Sequence, residues 1–159
     1  MTEQSIDHVF DAPRDEVWQG FANPELLAHW YGPGVDTIIH ELDLRPGGLW
    51  RNEMKWGDRS DLSRMEFREI DPPNRLVWVH ASADAEWNVT ANPMMPDWPR
   101  QILATVTLED AGLGTNLRLA MDPIDPSPAE AACFAAAWGN MVKGWAAGFA
   151  LLDRKLAEG

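Results

Sequence analysis

The chain of 159 residues has one cysteine, Cys133, so no intrachain disulfide is possible. It has little positive charge. Thirteen Lys and Arg stand against 25 Asp and Glu, a net charge of −12. No basic run appears, which argues against nucleic acid and anionic membranes, because both are bound through clustered cations. No apolar run is long enough to insert in a bilayer. The most apolar stretch, Ala129 to Trp138, is short and carries Glu130. Met1 to Phe10 is polar and charged, without an apolar signal region. Together with the lone cysteine this predicts a cytoplasmic protein. No Gly-x-Ser-x-Gly, P-loop or dinucleotide fingerprint occurs. Histidines 8, 29, 40 and 80 are scattered, with no His-x-His, His-x-x-x-His or Cys pair at ligand spacing. Neither a metal site nor a cofactor is expected.

What the chain has is tryptophan, nine residues of it, and one long apolar stripe near its end. Ser127-Pro128-Ala129-Glu130 reads as a helix start: a serine N-cap, a proline at the first position and a glutamate completing a capping box. Phe134, Trp138, Met141, Trp145, Phe149, Leu152 and Leu156 follow with a period of about 3.67 residues. That predicts a helix from about Pro128 to Ala157, ~45 Å long, with the whole stripe buried.

Upstream, Ser5 to Phe10 reads as a strand. Asp11-Ala12-Pro13 and Asn23-Pro24 then start two short helices. Six further segments alternate as strands: Val35–Leu44, Leu49–Trp56, Ser60–Ile70, Arg75–Ser82, Gln101–Glu109 and Thr115–Met121. Short turns join most of them, which makes the sheet antiparallel. The economical packing is an α+β architecture in which a curved sheet of about seven strands wraps the long helix. One connection is long. Ala83 to Pro99 contains Trp87, Met94, Met95 and Trp98. Its readings are a lid, an extended hairpin, or an apolar surface that a twofold partner covers in a homodimer.

The alternation places Trp50, Asn52, Met54 and Phe67 inward, facing Trp138, Met141 and Trp145 of the helix. Trp78 and His80 share one face of a strand that is apolar on both sides, and that face is assigned inward with them. His40 is assigned to the same inward side. Aromatic walls with a few polar groups suit a small-molecule pocket. A filled core with satisfied histidines is the other reading of the same residues. Gly144 and Gly148, four apart on the helix, fit either close backbone packing or a ligand lying on bare backbone.

Several segments resemble landmarks of the START-like (SRPBCC) proteins. They are closest to the bacterial branch called activator of heat shock protein 90 ATPase homologue-like. Asp11-Ala12-Pro13-Arg14-Asp15-Glu16-Val17-Trp18 resembles the opening of such proteins. Asn23-Pro24-Glu25-Leu26-Leu27-Ala28-His29-Trp30-Tyr31-Gly32-Pro33 resembles their next landmark. Arg45-Pro46-Gly47-Gly48-Leu49-Trp50, Glu69 to Trp78 and Gly144-Trp145 resemble later ones. The resemblance implies a helix-grip fold over residues 1–159 as one domain, with a cavity between sheet and helix for an apolar or aromatic small molecule. Two other activities stay open on it. One is a cyclase- or hydrolase-type enzyme with a cavity histidine as general base. The other is stimulation of a chaperone ATPase.

Overall fold

The computed structural model describes residues 4–158. The elements run β1 (Gln4–Phe10), α1 (Arg14–Ala22), α2 (Pro24–Trp30), β2 (Asp36–Leu42), β3 (Leu49–Trp56), β4 (Arg59–Asp71) and β5 (Arg75–Ala83). They continue through β6 (Val89–Thr90), β7 (Ile102–Ala111), β8 (Gly114–Pro123) and α3 (Pro128–Ala157). The strands form one antiparallel sheet in the order β1-β8-β7-β5-β4-β3-β2, with β6 paired to the end of β5. The expected α+β helix-grip architecture, with two short helices after the first strand, is what forms.

Local chemistry sets the helix starts. Asn23 accepts from the amides of Glu25 and Leu26 at 2.9 and 3.5 Å, and Pro24 follows it. Ser127 Oγ accepts from Glu130 N at 3.1 Å, while Ser127 N donates to Glu130 Oε1 at 2.8 Å. Both halves of the capping box are therefore made. Ser127→Ala is expected to cost about 1 kcal/mol, read as a lowered urea midpoint at unchanged slope.

The inward face carries the core. Trp50, Met65, Phe67, Trp78, Ile102, Ala104, Leu119 and Met121 are all buried. One facing differs from the sequence expectation. The register of β2 on β3 shifts between Ile39 and Glu41. Such a bulge adds a residue and turns the following side chains over. Ile39 therefore packs on the core, Ile38 is 38 % exposed, and His40 faces outward to Glu53 Oε1 at 2.8 Å. His40 is not part of the inner face. A second shift, between Phe67 and Glu69, bends the β4–β5 pair.

The segment from Ala83 to Pro99 is neither free loop nor full hairpin. Asp84 Oδ1 accepts from Glu86 N and Asn88 N at 3.0 and 2.9 Å, which fixes a tight turn. Within it Trp87 takes φ +66°, rare for a residue with a side chain. The Trp87 ring lies over the Arg51 guanidinium at 5.7 Å and beside His40, and Arg64 Nη1 donates to the Trp87 carbonyl oxygen at 3.0 Å. After β6 the chain crosses to the inner side, where Trp98 meets Phe134 with ring centroids 5.7 Å apart.

Helix α3 lies against the inner face, but unevenly. Phe134 at one end and Gly148, Phe149 and Leu152 toward the other are buried. Trp138, Met141 and Trp145 between them are only half-buried. The stripe is thus docked at both ends and stands off the sheet in its middle. The wedge is α2. A Cβ on Gly148 would lie 2.9 Å from the Trp30 carbonyl oxygen, so bare backbone is what lets α3 and α2 meet. Close packing explains Gly148. At Gly144 a Cβ would meet nothing within 4 Å. Among the described residues, no helix is long and apolar enough to cross a membrane.

Candidate functional site

Where the middle of α3 stands off, a cleft of about 240 Å³ opens between helix and sheet. Four pieces of chain build it. Helix α3 gives Met141, Gly144, Trp145 and Gly148. The end of α2 and the turn after it give Trp30, Tyr31, Gly32 and Pro33. The sheet gives Met54, His80, Ile102 and Met121, and the long segment after β5 gives Trp98.

The aromatic rings are held by one another and by backbone. Trp30 Nε1 donates to the Gly20 carbonyl oxygen at 2.8 Å, which satisfies its polar atom inside the core. Trp30 contacts Tyr31, Trp145 and Phe149 with centroids 5.7, 6.1 and 5.5 Å apart. Tyr31 stands edge-on to Trp50 at 4.8 Å and to Trp145 at 5.6 Å. Its carbonyl oxygen accepts from Thr37 Oγ1 at 2.6 Å, tying the turn to β2. Gly32 follows at φ +78°, a conformation glycine adopts without strain. Burial, and secondarily the charge of Asp61, raise the Tyr31 phenol well above its ordinary range, so it stays neutral.

His80 is the other titratable group of the wall. Its imidazole is packed round by protein yet keeps part of its surface open to the cleft. Loss of solvation pushes its pKa down from 6.5 to about 4, so it is uncharged at neutral pH. A neutral imidazole can both donate and accept one hydrogen bond.

The residues singled out from the sequence divide into two layers. Met54, His80, Met141 and Trp145 lie on the cleft wall. Trp50, Phe67 and Trp78 lie behind it in the sealed core, each 1 % exposed. Asn52 is wholly buried there, its Oδ1 accepting from Trp50 Nε1 at 3.3 Å. Its Nδ2 and the indole nitrogen of Trp78 are buried without a partner among the described residues. Trp138 packs on Phe134 at 5.8 Å, beyond the wall. The wall residues missed from sequence are chiefly Trp30, Tyr31 and Trp98. A usable signal was present. Leu27 and Trp30 share one side of a two-turn helix that ends in a glycine-proline breaker, and that side has to be buried.

The sheet, the two short helices and the gripping helix define the START-like class. The match to the Activator of Hsp90 ATPase homolog 1-like protein family runs from residue 11 to 153. The chain belongs to that family. Comparison with curated proteins finds no match. Among solved structures, a Mycobacterium smegmatis protein is 22 % identical over 98 % of this chain and 90 % of its own, with a TM-score of 0.81. An Arthrobacter aurescens protein is 23 % identical over 99 % of this chain and 87 % of its own, also at 0.81. A Rhodobacter sphaeroides protein is 22 % identical over 98 % and 93 %, with a TM-score of 0.78. These likenesses concern the fold.

Proposed function

We propose that this chain is a binding domain for one apolar or aromatic small molecule, held in the cleft between α3 and the sheet. The observation that carries the reading is the make-up of the wall: four aromatic rings, from Trp30, Tyr31, Trp98 and Trp145, with His80 as the polar group at the sheet. Apolar walls with one or two orienting polar groups are the usual form of small-molecule sites. The half-buried middle of an otherwise docked helix supports it too, since apolar surface facing a gap gains from being covered.

A general-base role for His80 draws less support. A base pushed to about pH 4 is far below the match to working pH that proton abstraction favours. Dimerisation through the segment from Ala83 to Pro99 also has a narrower basis than the sequence offers. Trp87 and Trp98 are turned onto this chain's own sheet and cleft, which leaves Met94 and Met95 as its large exposed hydrophobic side chains.

Naphthalene is a suitable probe. It should quench indole fluorescence and raise the melting temperature, with about 2.7 kcal/mol of stabilisation at a hundredfold excess over its dissociation constant. Titration without quenching or a thermal shift would remove the reading.

A further inference from the structure

The surroundings of the cleft narrow the ligand class, an inference that rests on the reading above. Strand register continues the inner face past the wall. Met54 lies opposite Asp61, Asn52 opposite Ser63, and Ser63 opposite Ser82. Opposed residues share a face, as do alternate residues along a strand. The inner face therefore turns from aromatic to polar immediately beside Met54 and His80.

Charge is absent from the wall and begins beyond Met54. The cleft wall contains no Lys, Arg, Asp or Glu. By register the nearest charge on the inner face is Asp61, opposite Met54, and this carboxylate enters no ion pair among the described residues. Arg59, opposite Trp56, lies one pair farther from the wall, with its Nη1 on Met94 Sδ. The field of Asp61 reaches the wall, because it acts on the Tyr31 phenol. An anion entering the cleft would lose its water, find no cation and stand in the field of a carboxylate. A cation would lose as much water, and Asp61 is not on the wall to pair with it directly. A neutral oxygen, by contrast, meets an imidazole able to donate to a carbonyl or accept from a hydroxyl. Size adds a bound. About 240 Å³ is below the roughly 300–1,000 Å³ of drug-sized sites, so one or two rings fill it.

We propose that the cleft selects an uncharged aromatic ketone, aldehyde or phenol of one or two rings, and that Asp61 disfavours carboxylates. The rings pack against Trp30, Trp98 and Trp145, and the oxygen bonds to the His80 imidazole.

Calorimetric titration of the full chain at pH 7.5 tests this with four probes of one ring system: naphthalene, 2-acetylnaphthalene, 2-naphthoate and 2-naphthylmethylammonium. The ketone should bind roughly 3–10-fold tighter than the hydrocarbon, the worth of one net hydrogen bond. The carboxylate should bind at least about tenfold weaker than the ketone, since its charge is buried with no cation on the wall to offset it. Asp61→Asn should narrow the gap between carboxylate and ketone, and His80→Phe should remove the preference of ketone over hydrocarbon. Carboxylate or ammonium binding as tight as the ketone's overturns the proposal. Naphthalene binding with no gain for the ketone also overturns it, while leaving the apolar cleft standing. Failure of all four probes overturns both.

Discussion

Phe149→Asp is expected to leave no folded protein at 25 °C, whereas Trp145→Asp is expected to fold with a cooperative transition. The two residues are one helical turn apart on the same stripe, and sequence alone ranks them equally. Phe149 is 1 % exposed and wedged between Phe10, Trp30 and Trp145. The His8 ring, 5.6 Å from Phe149, already faces Asp153 at 3.6 Å, so a carboxylate at 149 has no free cation, and a loss above about 4–5 kcal/mol follows from burying an unpaired charge. That is comparable with the whole stability of a domain of this size. Trp145 borders the cleft and is half-buried, so its carboxylate can reach solvent. A cost of about 1–3 kcal/mol is expected there. Circular dichroism and urea unfolding of both variants decide the matter. Equal losses would mean that the helix does not stand off the sheet.

Acid should weaken the fold through His80 in a defined window. Its folded pKa of about 4 lies below the unfolded 6.5. Between those values the unfolded chain binds a proton that the folded chain refuses, so stability falls as pH falls. The contribution is complete above pH 6.5 and is lost progressively toward pH 4, with a slope of up to about 1.4 kcal/mol per pH unit. His80→Gln carries no such group. The difference between wild type and variant therefore isolates this titration from that of the many surface carboxylates. A wild-type-minus-variant stability that stays flat from pH 7 to 4 would show that the imidazole is well hydrated.

Much of the architecture was legible because it rests on local periodicity. The long helix, its Ser127 capping box and the alternation of β3, β7 and β8 each follow from near neighbours and form as read, whereas the stripe expected to be buried throughout is buried only toward its ends. The cleft was harder because its position depends on depth. Trp50 and Trp78 were placed inward correctly, yet they lie behind the wall, since Tyr31 stands edge-on over Trp50. Nothing in β3 or β5 tells how far an element from elsewhere will reach across them. The reverse holds for Trp30 and Tyr31, at the end of a short helix whose pattern marks one side for burial without saying which element covers it. His40 was assigned to the wrong face because one extra residue in β2 reverses the alternation, and a bulge there has no marker such as glycine. Trp98 was flagged only as an apolar residue in a long connection. Its place depends on the crossing that follows Trp87.

That crossing has a consequence for how the domain can be altered. Trp87 is clamped outside by Arg51 and Arg64, and Trp98 forms an inner wall, so the stretch between them, residues 88–97, is anchored at both ends. Only β6 within it belongs to the sheet. The core that keeps the molecule folded is therefore separate from the part that shapes one side of the opening. Lengthening or shortening residues 91–97 is expected to reshape the opening without disturbing a single rung of the main ladder. The scaffold and the rim of the cleft can be varied independently, as in a tool with a fixed handle and an exchangeable jaw.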